Sequence, residues 1–207
     1  MSMTDAVDTE PSRSQQPEAS ARSKHVPGEP GIWILIFGDM VVFTVLFTVY
    51  LNSRGRNEAL FAESQAALNQ TLGAINTLVL LCSSMLIVLA ALAFRSEQRR
   101  HLAAPLTLAG AAVGSCFVVV KVIEYHEKVA AGLTPSTNEF FMYYFVLTGL
   151  HLAHVVIGLV VLTVLSRLAR KPAPTRTHIA FFEGGACFWH MVDLLWLIIF
   201  PLFFLVR

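Results

Sequence analysis

Charge is scarce in this chain. Only 14% of its 207 residues are Asp, Glu, Lys or Arg, and the formal net charge is +1. The missing basic surplus excludes a protein that binds nucleic acid by neutralising phosphates. Cysteine is scarce too. Cys82, Cys116 and Cys187 lie far apart, with no CxxC pair and no Cys/His zinc spacing, so they read as small buried hydrophobes. No GxSxG, Walker, dinucleotide or HExxH pattern occurs. Gly28-Glu29-Pro30-Gly31 reads as a helix entry and not a phosphate loop. No inverted repeat marks a transporter. The first 30 residues lack apolar periodicity and the apolar core of a cleavable signal, so residues 1–30 are expected to be a disordered cytoplasmic tail, with the first span doing the targeting.

What the chain has is apolar length. Hydrophobic residues make up 55% of it, and mean hydropathy is +0.62. A helix needs about 20 residues to cross a bilayer core. Five runs qualify, at about 31–51, 72–94, 102–124, 139–165 and 179–204. The expectation is an all-α, polytopic membrane bundle of five transmembrane helices in one domain, 31–207, with a short surface helix over Glu58–Leu68. Pro201 is placed to bend or end the last helix. Lys and Arg set the orientation. Arg13, Arg22, Lys24, Arg95, Arg99, Arg100, Arg167, Arg170, Lys171 and Arg176 fall on one side, against Arg54, Arg56, Lys128 and Arg207 on the other. The rule places the N-terminus in the cytoplasm and the C-terminus outside.

Ionisable groups inside these runs are costly in hydrocarbon and must face protein, water or each other. Asp39 stands eight residues into the first run, about 12 Å along a helix, where it must be protonated or paired. It is either a neutral acid held by a neighbouring helix or a proton-handling or subunit-contact site. Lys121, Glu124 and Lys128 have helical ion-pair spacings at the end of the third run. They read as an interfacial network with snorkelling lysines, Glu124 alone being deep enough to reach another helix. His151 and His154 are three apart on the fourth helix. Glu183, Cys187, His190 and Asp193 form a stripe on the fifth at spacings of four, three and three. Rough counting puts Asp39, His151, His154 and His190 in one slab toward the cytoplasmic half. A metal centre is therefore geometrically open, although the Glu-x-x-His pairs of a di-iron bundle are absent and His190-x-x-Asp193 runs the other way.

Three stretches carry a family resemblance. Phe188-Trp189-His190-Met191-Val192-Asp193-Leu194-Leu195-Trp196, Gly149-Leu150-His151-Leu152-Ala153-His154-Val155-Val156-Ile157-Gly158 and Lys121-Val122-Ile123-Glu124-Tyr125 resemble, in order, signatures of the subunit III family of haem-copper oxidases, as in cytochrome c oxidase. Many members of that family have seven crossings; here the first two are not seen. Gly38-Asp39 replaces the Ser-Glu of oxidase members and looks more like the branch associated with nitric oxide reductases. The resemblance implies a non-catalytic accessory subunit of the bacterial-type plasma (inner) membrane, in aerobic electron transport. Haem and copper would be held by the catalytic subunit I and none by this chain; phospholipid would be bound; proton uptake and stability would be supported. It also implies that Asp39, Glu124, His151, His154, Glu183, His190 and Asp193 form a polar framework, with no metal ligand and no catalytic residue among them. The alternatives are an accessory protein of a nitric oxide reductase, a stand-alone membrane metalloenzyme using His151, His154 and His190, and a small transporter with Asp39 and Asp193 as proton relays.

Overall fold

The computed structural model describes residues 30–171 and 174–205, so the expected disordered tail lies outside the described residues except for Pro30. The described chain is helical throughout, with no strand. α1 runs over Pro30–Arg56, α2 over Glu58–Ala66, α3 over Gln70–Arg95, α4 over Ala103–Ala130, α5 over Glu139–Ala169 and α6 over Arg176–Phe200. A 3₁₀ turn, Arg100–Leu102, precedes α4, and a π-helical turn, Pro201–Leu205, follows α6. Five helices are long and apolar enough to cross a membrane; α2 is the short exception.

The helix ends are set by ordinary local chemistry. The Asn69 side chain accepts from Thr71 N–H and Leu72 N–H to start α3. The Asn138 side chain accepts from Phe141 N–H to start α5. Thr175 and His178 cap each other reciprocally at the start of α6. Gly132, at φ 77°, lets the chain leave α4 in a left-handed turn. Pro201 has no N–H to give back to the helix, and the chain widens there instead of stopping. Two carbonyls of that widened turn take side-chain donors from elsewhere. Tyr50 Oη donates to Leu202 O (3.3 Å) and Gln70 Nε2 to Phe204 O (2.6 Å).

α3, α4, α5 and α6 close into a four-helix bundle in which each packs on its chain neighbour and α6 returns to α3. α6 is the most enclosed, with 56% of its most apolar window buried against 11% for α1, which lies along the outside of α5 and α6. The helices crowd where α6 places Trp189. A Cβ on Gly114 or on Gly158 would lie 2.7 Å from its ring. The indole is therefore held between α4 and α5 at two residues that have no side chain. Arg95, Arg99, Arg100, Arg167, Arg170, Lys171 and Arg176 gather at one end of the bundle, and Arg54, Arg56 and Lys128 at the other.

Candidate functional site: a polar framework inside the bundle

The polar groups inside the spans fall into several separate contacts that join helices. The deepest is at the end opposite the arginines. Lys121 on α4 is 0% exposed and Glu124 is 1% exposed. Lys121 Nζ lies 2.9 Å from Glu124 Oε2, and Tyr144 Oη on α5 donates to Glu124 Oε1 at 2.6 Å, so both carboxylate oxygens are engaged. The ammonium sits among rings, 4.8 Å from the Trp196 ring centroid and 5.3 Å from that of Tyr144. The neighbouring Tyr125 hydroxyl lies 2.6 Å from Thr148 Oγ1. This corrects the expectation of a snorkelling Lys121. The aromatic faces and one carboxylate replace its water. Lys128 does not answer Glu124 either; it donates to the Ala67 carbonyl and ties α4 to the α2–α3 turn.

His151 and His154 diverge even though they are one helical turn apart. The His151 ring is fully buried, stacked on Trp196 at 5.3 Å with Phe117 edge-on at 5.5 Å, and neither of its nitrogens has a partner. Trp196 is held from its other edge, Nε1 donating to Thr77 Oγ1 at 3.0 Å. His154 turns instead toward α1. Its Nε2 lies 3.3 Å from Asp39 Oδ2, with Phe43 edge-on to the ring. Its Nδ1 lies 2.8 Å from the Leu150 carbonyl oxygen. A carbonyl can only accept, so Nδ1 carries a proton.

The stripe on α6 does not act as one unit. His190 Nδ1 and Ser84 Oγ of α3 are 2.6 Å apart, and Asp193, one turn beyond His190, lies on the same side of α6, near Ser84. Asp193 is 6% exposed and its Oδ1 has no partner. Glu183 belongs to the arginine-rich end, where Arg95 Nη2 (2.8 Å) and Nε (3.0 Å) both reach its Oε1. Cys187 is a free, half-buried thiol. The slab expected from Asp39, His151, His154 and His190 is therefore not one cluster. Among the described residues no three His, Cys, Asp or Glu side chains come together to hold a metal. Among the described residues the three intramembrane histidines are separately placed. His151 is sealed between rings, and His154 and His190 spend ring nitrogens on helix contacts.

Sequence reasoning missed Ser84, Tyr144, Thr148, Thr77 and Asn76. Asn76 is fully buried with neither side-chain polar atom partnered. A hydroxyl or amide inside an apolar run is a usable signal, but it does not say which neighbour it meets.

An apolar cleft of about 340 Å³ opens between the first turns of α1 and the facing surfaces of α5 and α6, against Leu35, Ile157, Val161, Phe181 and Phe188. It has no cation in its lining.

The family model for cytochrome c oxidase subunit III matches residues 24–206. A protein of Alkalihalophilus pseudofirmus named cytochrome c oxidase subunit 3 is 29% identical over 208 residues, covering 99% of this chain and 98% of its own. The cytochrome bo(3) ubiquinol oxidase subunit 3 of Buchnera aphidicola subsp. Acyrthosiphon pisum is 28% identical, over 84% of each chain. A heme-copper oxidase subunit I+III of Aeropyrum pernix is 26% identical over 84% of this chain and 22% of its own length.

Proposed function

The chain belongs to the cytochrome c oxidase subunit III family, and on that premise we propose that it is the non-catalytic third subunit of a respiratory haem-copper oxidase in aerobic electron transport. The observation that carries the reading is how the polar framework is used. Glu124, His154, His190 and Glu183 each spend a hydrogen-bonding atom on another helix of the same chain. They tie α4 to α5, α5 to α1 and α6 to α3, and among the described residues no three His, Cys, Asp or Glu side chains converge to hold a metal. Haem and copper belong to a catalytic subunit I beside it, where they supply the oxygen chemistry. The Aeropyrum relative, whose printed name joins I and III in one chain, supports that partner. The three relatives bear oxidase names, which favours the oxidase over the nitric oxide reductase branch suggested by Gly38-Asp39.

Three finer assignments follow from the same reading. The bilayer is a bacterial-type inner membrane, with the arginine-rich end in the cytoplasm and the π-helical turn outside. The apolar cleft beside α1 accepts a phospholipid acyl chain. The Asp39–His154 pair, 26% and 14% exposed at the seam of α1 and α5, is the group of this chain that buffers protons for its partner.

The test is gentle purification of the tagged chain, followed by a visible spectrum and metal analysis. The expected result is a haem-bearing partner that co-purifies with it and takes the iron and copper away when the complex is split. Stoichiometric metal that stays on the isolated chain, and is lost on His151→Ala or His190→Ala, overturns the accessory reading.

A further inference from the structure

At the arginine-rich end α3 passes into α4 through Ser96–Leu102. A groove of about 280 Å³ is cut between the last turns of one helix and the first of the other. Leu89, Leu92, Ala93, Leu102 and Leu106 make its walls, and Ser96 and Arg99 stand where it reaches the helix ends. The walls are open to the surroundings, with Leu92 58% and Leu102 42% exposed. The other two arginines of this connection are already committed. Arg95 holds Glu183, and Arg100 Nε reaches the Phe94 carbonyl. Arg99 is exposed and, among the described residues, pairs with no carboxylate; the Ser96 hydroxyl makes no hydrogen bond. Glu97, the acid of the connection, is exposed and pairs with neither.

We infer that this groove binds an anionic phospholipid. One acyl chain lies along Leu89, Leu92, Leu102 and Leu106, and the phosphate meets the Arg99 guanidinium and the Ser96 hydroxyl. The level is right, because the α3 apolar run ends at Phe94 and the polar groups begin at Arg95. The charge is right, because a guanidinium presents forked donors to a phosphate, and basic residues beside a span attract acidic lipids. The cleft beside α1 differs on this point. It offers apolar walls without a cation and cannot tell one headgroup from another. This site does not depend on the oxidase assignment.

The experiment uses the full chain in neutral detergent, offered phosphatidylglycerol or phosphatidylcholine with the same acyl chains, with retained lipid read by native mass spectrometry. Wild type is expected to keep more phosphatidylglycerol. Arg99→Gln lowers that retention about fivefold and leaves phosphatidylcholine unchanged. Leu102→Asn, which spoils the wall and keeps the cation, lowers it as well. Arg99 is exposed, so an unaltered helical circular dichroism spectrum is expected in the variant. Equal retention of both lipids by wild type, or no loss in Arg99→Gln, overturns the proposal. So does full displacement of the lipid by an equal concentration of inorganic phosphate, which would make the groove a bare anion site.

Discussion

Two of the acid–base pairs in this molecule sit in opposite surroundings. Lys121–Glu124 lies in the closed end of the bundle, walled by Trp196, Tyr144 and Phe204. Asp39–His154 lies on the outside of it, under a helix that shares little surface with the rest. The first pair has given up all its water, so each member depends on the other and on Tyr144. The second keeps part of its exposure. A buried pair of this kind specifies packing; an edge pair of this kind can be changed without unmaking the fold.

The sharpest way to break that contrast is at Lys121. Lys121→Met leaves Glu124 buried with only Tyr144, and unfolding in detergent is expected to show a loss of about 3–5 kcal/mol. Adding Glu124→Gln to it should return much of that loss; a double variant as unstable as the sum of the two singles would show that the pair is not coupled. Next in size is the Trp189 seat. Gly158→Ala puts a methyl carbon into the ring and should lower stability by about 1–3 kcal/mol, visible in the thermal midpoint and in Trp fluorescence. Asp39→Asn follows, at about 1 kcal/mol or less for one interhelical contact. In the assembled complex it should slow proton-coupled turnover, because Asn holds no exchangeable acid proton. A stability loss as large as that of Lys121→Met would erase the distinction between edge and core. Ser84→Ala should be the mildest, about 0.6 kcal/mol, and it should alter the His190 imidazole signal in NMR more than the melting temperature.

The five spans were legible because a bilayer demands apolar length, and the sequence supplies it in five places. The stretch around His190 was legible because an acid and a histidine stand out against that background. What could not be read was direction. His151 and His154 share a face to within part of a turn, yet that difference sends one under Trp196 and the other to α1. The fate of Lys121 depended on rings that α5 and α6 bring from far along the chain. Local rules about lysine at a helix end pointed outward for that reason. Ser84 gave no warning at all: a serine in an apolar run is common, and only the register of α3 against α6 makes this one the partner of His190.

The widened turn at Pro201–Leu205 has a consequence for synthesis. Its Leu202 carbonyl is the acceptor for Tyr50, near the far end of α1, and its Phe204 carbonyl is the acceptor for Gln70, at the start of α3. α1 and α3 therefore cannot complete these two contacts until α6 has been made and inserted. A nascent chain halted before Pro201 holds its spans without this clasp.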